Sequence, residues 1–410
     1  MKPRFLFLIF ALLCCVPLSV HGQKTIDPAF YFGGIFDFAT AFNEKGAPLI
    51  HTLRRGESPF DNMAATLFCD VVITSRLTVF NQIVLHPTSS TAISNLWRPI
   101  VQFAAIKHPH YELFLEMGKL STTFGSYGPR AYSNHNPLLT TPLTHHYFTS
   151  LRAAQLPLDN TDLLKSWGQG NASLFTGFSG GGNPAPRAGL PIIYDGCWDT
   201  GVRAFGSLWR LEYSLGLTHG TLSDPKQTGV DNNEGKQVIT RVAAVPFVGL
   251  VVGTSFARGA YLDASVANAL KPLGKKPEDF VQEAFGFDAA YEIGHFKVLG
   301  ELVLNRWEMP RIVDVQGNPT DLTCTGWYVE GRYAFLPGWY GAVRYDRITF
   351  GKIADKAGQA VSWDDDIWRV EGGLGYYFWD GVLCKVIVQD THRLRLPRIT
   401  LAGAQLSVSF

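Results

Sequence analysis

The residues of this chain that could do chemistry are quickly enumerated. Gly177-Phe178-Ser179-Gly180-Gly181 matches the G-x-S-x-G spacing of hydrolase serines. That spacing works only where a strand-turn-helix elbow exposes the hydroxyl. Here Gly182-Asn183-Pro184 follows, a run that starts no helix readily, so a loop is expected. His108-x-His110 and His145-His146 offer imidazoles, but no third ligand stands at metal-site spacing. Asp364-Asp365-Asp366 offers oxygen ligands for a divalent cation and also reads as a solvated acidic loop tip. No cofactor motif, metal site or catalytic constellation converges, so an enzyme is not expected.

The remaining polar chemistry is periodic. Arg210, Glu212, Ser214 and Thr218 alternate with Trp209, Leu211, Tyr213, Leu215 and Leu217. Asp288 and Glu292 alternate with Phe285, Phe287, Ala289, Tyr291 and Ile293. The same split puts Lys297 and Glu301, Glu330 and Arg332, Arg344 and Asp346, and Arg369 and Glu371 each on one phase; Arg203 belongs to the same polar set. A two-residue period is that of a strand with unlike faces. If the apolar face meets lipid, a charge there costs about 2–4 kcal/mol near the midplane, so segregation is required. The polar face then lines a lumen, either as a charge-selective lining or as cross-strand ion pairs that stiffen the wall.

Elements that would hold these residues follow from the pattern. Strands are expected at about 28–42, 62–74, 76–86, 98–107, 111–119, 197–206, 207–219, 236–247, 248–260, 281–293, 296–307, 322–335, 339–351, 366–378, 382–391 and 399–410. That is sixteen, the even number a single-chain bacterial barrel requires. Every second link is tight: Thr74-Ser75, His108-Pro109-His110, Gly206-Ser207, Pro246-Phe247, Gly294-His295, Pro337-Gly338 and Trp379-Asp380-Gly381. The others, 43–61, 87–97, 120–196, 220–235, 261–280, 308–321, 352–365 and 392–398, are long and polar. This parity predicts a transmembrane antiparallel β-barrel with periplasmic turns and extracellular loops, and a barrel of this size leaves an aqueous channel. The longest link, 120–196, is the third extracellular loop, expected to fold into the pore. Asp159 or Asn160 would start a helical turn within it at 161–167. Its candidate constriction cations are Arg130, Arg152, Lys165 and Arg187, set against Asp159, Asp162 and Asp195.

Both ends agree with that compartment. Lys2 and Arg4 precede an apolar run, Phe5 to Val16, and Val20-His21-Gly22 supplies a cleavage site, so residues 1–22 read as a signal peptide. Cys14 and Cys15 would allow a lipid anchor, but the small residue such a site wants before the cysteine is missing. At the other end Ala402, Ala404, Leu406, Val408 and Phe410 share a face. With Gly403 they resemble the C-terminal signal by which outer-membrane barrels reach their assembly machinery. Charged residues are 17% and aromatics 13%, with 41 glycines, the mixture alternating faces produce. Removing Lys2 and Arg4 from the 36 Lys and Arg leaves 34 against 35 Asp and Glu, which points to no nucleic-acid partner. Cys69, Cys197, Cys324 and Cys384 are too far apart in sequence for a metal motif, and the sequence leaves their pairing open.

Met117-Gly118-Lys119-Leu120 followed by Thr123-Phe124-Gly125-Ser126-Tyr127 resembles a signature of the phosphate-selective porin O/P-type family. Trp327–Tyr333, Gly338–Asp346 and Arg369–Tyr376 are similar to its C-terminal strands. The resemblance implies a sixteen-stranded, usually trimeric channel for small polar or anionic solutes; the chain as a whole is expected to pass small polar or ionic solutes from a setting in outer-membrane lipid and lipopolysaccharide. The family's phosphate selectivity rests on a ladder of lysines and arginines, and the sequence shows no comparable cluster. A non-conducting barrel serving as an adhesin or structural protein is the alternative.

Overall fold

A computed structural model describes residues 28–43, 62–85, 97–170, 175–183, 188–194, 198–226 and 233–410. The signal peptide, Arg187, Asp195 and Cys197 lie outside the described residues. The strands in chain order are β1 (Ala29–Asn43), β2 (Ala64–Val72), β3 (Leu77–Leu85), β4 (Trp97–His108), β5 (Tyr111–Ser121), β6 (Trp198–Leu208), β7 (Leu211–Thr218), β8 (Gln237–Ala244), β9 (Leu250–Ala260), β10 (Val281–Ile293), β11 (Phe296–Trp307), β12 (Leu322–Leu336), β13 (Trp339–Phe350), β14 (Lys352–Ala354), β15 (Ala360–Ser362), β16 (Ile367–Trp379), β17 (Val382–Arg393) and β18 (Ile399–Ser409). β14 and β15 form a small hairpin of their own, and the other sixteen close into one antiparallel barrel. The parity of short and long links read from the sequence is that of the structure.

β1 and β18 close the barrel, with Ile35 opposite Ser409 and Asn43 opposite Leu401. Phe410 extends the seam beyond the strand. Its N–H donates to the Gly34 carbonyl and its carbonyl accepts from the Gly34 N–H, both at 3.1 Å. Its ring stacks on Phe36 at 6.0 Å. Every backbone group along a closed barrel finds a partner, which a lipid environment demands.

Pleating sets the faces. Leu211, Leu215 and Leu217, Phe285 and Phe287, and Val329 and Tyr333 are exposed on the outer surface. Their neighbours Asp288, Glu301, Glu330 and Arg344 are buried on the inner one. At the long-loop end the outer phase does carry charge, in a chain of ion pairs from Arg258 to Glu283 to Arg306 to Asp321 at 3.1–3.3 Å. There the surroundings are headgroups and water, where charge costs little. Among the described residues no helix is long and apolar enough to cross a membrane.

One turn departs from expectation. β6 and β7 meet at Trp209–Arg210, with Leu208 opposite Leu211, instead of at Gly206-Ser207. Gly206 is a strand residue that makes room for Tyr213, whose hydroxyl would lie 2.9 Å from a Cβ there and donates to the Glu112 carbonyl. Trp209 turns the chain with φ 56°, a left-handed conformation that is uncommon outside glycine and asparagine.

Candidate pore and the loop docked against its wall

The link between β5 and β6 supplies the centre of the structure. Its backbone is held by charged side chains that the strands project inward. On β12, β13 and β16, Arg344 reaches Glu330 and Asp346 at 3.2 Å and Glu371 at 2.6 Å, while Arg369 reaches Asp346 at 3.1 Å. All five are buried. They then turn to the loop. Glu371 accepts the N–H groups of Leu139 and Thr140 at 3.1 Å and also the Thr140 hydroxyl. Arg344 donates to the Thr140 carbonyl at 2.8 Å, Arg369 donates to the Thr141 carbonyl, and Asp346 accepts from Leu143 at 3.3 Å. From β17 the Lys385 ammonium donates to the carbonyls of Ser133 at 2.8 Å and of Asn136 and Leu138 at 3.0 Å. A charged group taken out of water is stable only with such partners.

Two further anchors hold the rest of the loop. Glu301 on β11 accepts from the backbone and hydroxyl of Ser126, and Ser255 accepts from the Gly125 N–H at 3.0 Å. Asp364, just before β16, accepts the N–H groups of Ser150 at 2.6 Å and Gly168 at 2.9 Å, and the Tyr147 hydroxyl at 3.4 Å. The acidic run Asp364-Asp365-Asp366 is therefore no solvated tip. Asp364 and Asp365 are fully buried, and Asp366 accepts from the Phe350 N–H at 2.8 Å. Burial pushes the Asp364 carboxyl up to about 6.

The inner wall is not polar throughout. Toward the long-loop end it presents Ile239, Ala284, Val303, Trp307, Cys324, Ile348, Phe350 and Ile367. Leu143, Leu151, Leu156, Leu163, Phe175, Phe178, Ile192 and Ile193 of the loop pack on these in one apolar core. Trp363 stands edge-on to Trp307 at 5.9 Å and to Phe350 at 4.9 Å. Glycines in the wall leave the space: a Cβ at Gly286 would meet the Phe124 ring at 2.7 Å, and one at Gly326 would meet Thr144 at 2.6 Å and Ile192 at 2.9 Å. Gly403, read from sequence as part of an assembly signal, faces Leu139 in the same manner at 2.9 Å.

The sequence-derived site residues divide accordingly. Glu301, Glu330, Arg344, Asp346, Arg369 and Glu371 come together as loop anchors. Arg203 pairs with Glu116 at 2.8 Å, Asp288 with Arg241 at 2.6 Å, Glu212 lies 4.0 Å from Arg241, and Glu292 pairs with Lys297 at 3.1 Å. Arg210 is corrected: it sits in the short turn and donates to the Pro246 carbonyl at 2.7 Å, because the turn falls three residues later than its glycine implies. Arg152 is buried within the loop, over the Phe175 ring at 4.2 Å, and donates to the carbonyls of Gln169 and Gly170. Burial lowers it to about 10. Lys165 is exposed and lies 3.6 Å from Asp162. Asp159 caps the short helix Asn160–Lys165 by accepting from the Asp162 N–H at 2.8 Å. Ser179, the hydrolase-like serine, gives its N–H to Asp162 at 2.6 Å and stands on no elbow. His145 and His146 are buried in the short helix Leu143–His146. Cys69, Cys324 and Cys384 are free thiols.

Arg130, Lys297, Glu330 and Arg332 line a cavity of about 230 Å³ between the loop segment 134–137 and β11–β13. Lys385, Arg241, Glu116 and Gln389, whose amide donates to the Thr140 hydroxyl at 2.9 Å, were missed from sequence. Each shares the inward phase of its strand, as Lys385 does with Leu383 and Ile387, so phasing every strand would have found them.

No family model matches the chain, and neither does the sequence of any curated protein. Solved structures of similar fold include a loop L8 deletion mutant of OmpT, an outer membrane protein of Vibrio cholerae, at 12% identity and TM-score 0.56, covering 93% of this chain and 99% of that one. OmpF of Salmonella typhi, in a complex with daunomycin, is similar at 13% identity and TM-score 0.56 over 93% of this chain and 97% of that one. An anion-selective porin from Comamonas acidovorans is similar at 10% identity and TM-score 0.56 over 94% and 100%. At these identities the likeness is one of fold. With the closed sheet, the two-phase strands and the alternation of turns and loops, it makes this chain a sixteen-stranded transmembrane β-barrel of the bacterial outer-membrane type.

Proposed function

We propose that the chain forms a channel in the outer membrane through which small polar or ionic solutes diffuse passively, without cofactor or chemistry. The observation that carries this reading is the charged cavity of about 230 Å³ beside the docked loop, inside a barrel whose sixteen strands leave room for water. On this reading the β5–β6 link narrows the lumen, and Arg130, Lys297, Glu330 and Arg332 form part of the lining that selects by width and charge. The resemblance to phosphate-selective barrels supports the architecture. Arg344, Arg369 and Arg130 are matched by Glu330, Asp346 and Glu371, so these cations supply no ladder for phosphate. Trimeric assembly belongs to the same proposal, and a semi-native gel with a heat-labile high-mass band would support it.

The apolar packing of the loop against the upper wall favours a second reading, a plugged barrel acting as an adhesin or structural protein. One experiment separates them. Purified, folded protein in planar bilayers should give stepwise conductance in KCl. Its absence from heat-modifiable, correctly folded material would overturn the channel.

A further inference from the structure

The cavity beside the loop has unspent donors. Arg332, inward on β12, has its guanidinium carbon 4.4 Å above the Tyr340 ring, and no carboxylate of the described residues stands within ion-pair distance of it. Arg130 binds Glu330 through Nη2, while its Nη1 is buried without an acceptor. Lys297, paired with Glu292 at 3.1 Å, lines the same space and adds positive charge that is already partly matched. Leu299 and Tyr377 line the space beside these donors, an aliphatic and an aromatic surface. A planar cation carrying free donors in a fixed fork matches a carboxylate. Glu330 also borders the space. Its charge disfavours a dianion more than a monoanion.

We infer that this cavity binds a small organic monoanion with a flat apolar body, an aromatic carboxylate, its charge toward Arg332 and Arg130 and its ring against Tyr377 and Leu299. This rests on the channel reading and names a solute class for it: the cavity is a station on the path, where binding is strong enough to admit the solute and weak enough to release it.

The test uses benzoate, acetate and inorganic phosphate on the folded full-length barrel. In planar bilayers with KCl, benzoate should reduce the current in a saturable way, and acetate and phosphate should do so only at concentrations at least tenfold higher. Arg332→Ala should raise the half-blocking benzoate concentration about tenfold, with Arg332→Lys between it and the wild type. Tyr377→Leu should weaken benzoate without changing acetate. Arg210→Ala, in the short turn, should leave the block unchanged. Calorimetric titration of benzoate onto the detergent-solubilised barrel reads the same site without conduction. A conducting barrel that neither blocks nor binds benzoate overturns this inference and leaves the channel standing. A barrel that binds benzoate in an Arg332-dependent way but never conducts overturns the channel instead. Equal effects of the three anions, or an Arg332→Ala variant indistinguishable from wild type in either assay, overturn the site.

Discussion

The docking of the loop can be weakened by one substitution that leaves the barrel ladder intact. Lys385 donates to three loop carbonyls, at Ser133, Asn136 and Leu138, from a buried position on β17. Methionine at 385 keeps the length of the side chain and removes every donor. A hydrogen bond from a charged group contributes about 1.5–3 kcal/mol, and a buried carbonyl left without a donor costs about 1–3 kcal/mol. The Ser133 carbonyl is only half-buried and water can replace its donor, which leaves two carbonyls to count, or about 2–6 kcal/mol. That is a shift in the docking equilibrium of roughly thirtyfold at the low end and ten-thousandfold at the high end. Limited proteolysis reads it directly, because cleavage of a segment that opens and closes rapidly tracks the population of the open form. We expect the Lys385→Met barrel to remain heat-modifiable and protease-resistant in its strands, while its loop is cut about thirtyfold faster or more. Lys275→Met, at an exposed loop position, should behave as wild type. A Lys385→Met protein that folds and is cleaved within threefold of the wild-type rate would refute the claim that these three bonds hold the loop.

Other expectations use the same assay or a simple variant of it. Burial holds Asp364 near 6 against 3.8 in the free loop, so the docked state favours the neutral carboxyl. Docking is then strongest below about pH 4 and weakens as pH rises through 6, by at most about 3 kcal/mol. Loop cleavage should therefore quicken between pH 4 and 7, and Asp364→Asn should flatten that profile. Gly326→Val drives a side chain into Thr144 and Ile192 and should cost docking about 1–3 kcal/mol, raising both loop cleavage and, in a conducting barrel, the current. Deleting Phe410 removes two backbone bonds to Gly34 and the stack on Phe36, so folded barrel yield should fall while export across the inner membrane persists. Unchanged yield would refute that role for the seam.

The fold was legible because a barrel writes itself into local signals. Alternation along each strand sorted Arg344 and Asp346 from Val343 and Tyr345, and turn residues such as Pro337-Gly338 marked the short links. What alternation does not carry is what each inward residue meets. Glu371 and Asp346 read as pore lining when only their phase was known. Their partners, Leu139, Thr140 and Leu143, lie more than two hundred residues away in sequence, inside a link with no period of its own. Asp364 misled for a related reason, since an acidic triplet beside a long loop looks solvated until the chain that buries it is seen. Gly206 misled in the opposite direction: it resembles a turn former, and it serves a tyrosine across the strand. The apolar upper wall was the largest omission. Ile348 and Phe350 occupy the same phase as Arg344, and two apolar residues in a polar row carry no distinctive signal until the loop is placed upon them.

The anchors on β13, β16 and β17 grip mainly main-chain atoms, the exception being the Thr140 hydroxyl, which meets Glu371, Arg344 and Gln389. Lys385, Arg344 and Arg369 take loop carbonyls, and Glu371 and Asp346 take loop N–H groups. Such a grip does not read side chains, so positions of 133–143 other than Thr140 and the buried Leu138, Leu139 and Leu143 can vary without undocking the segment. The wall thus separates two things evolution otherwise trades against each other. The loop's position is inherited from the strands, while the chemistry it shows to the lumen is free to diverge.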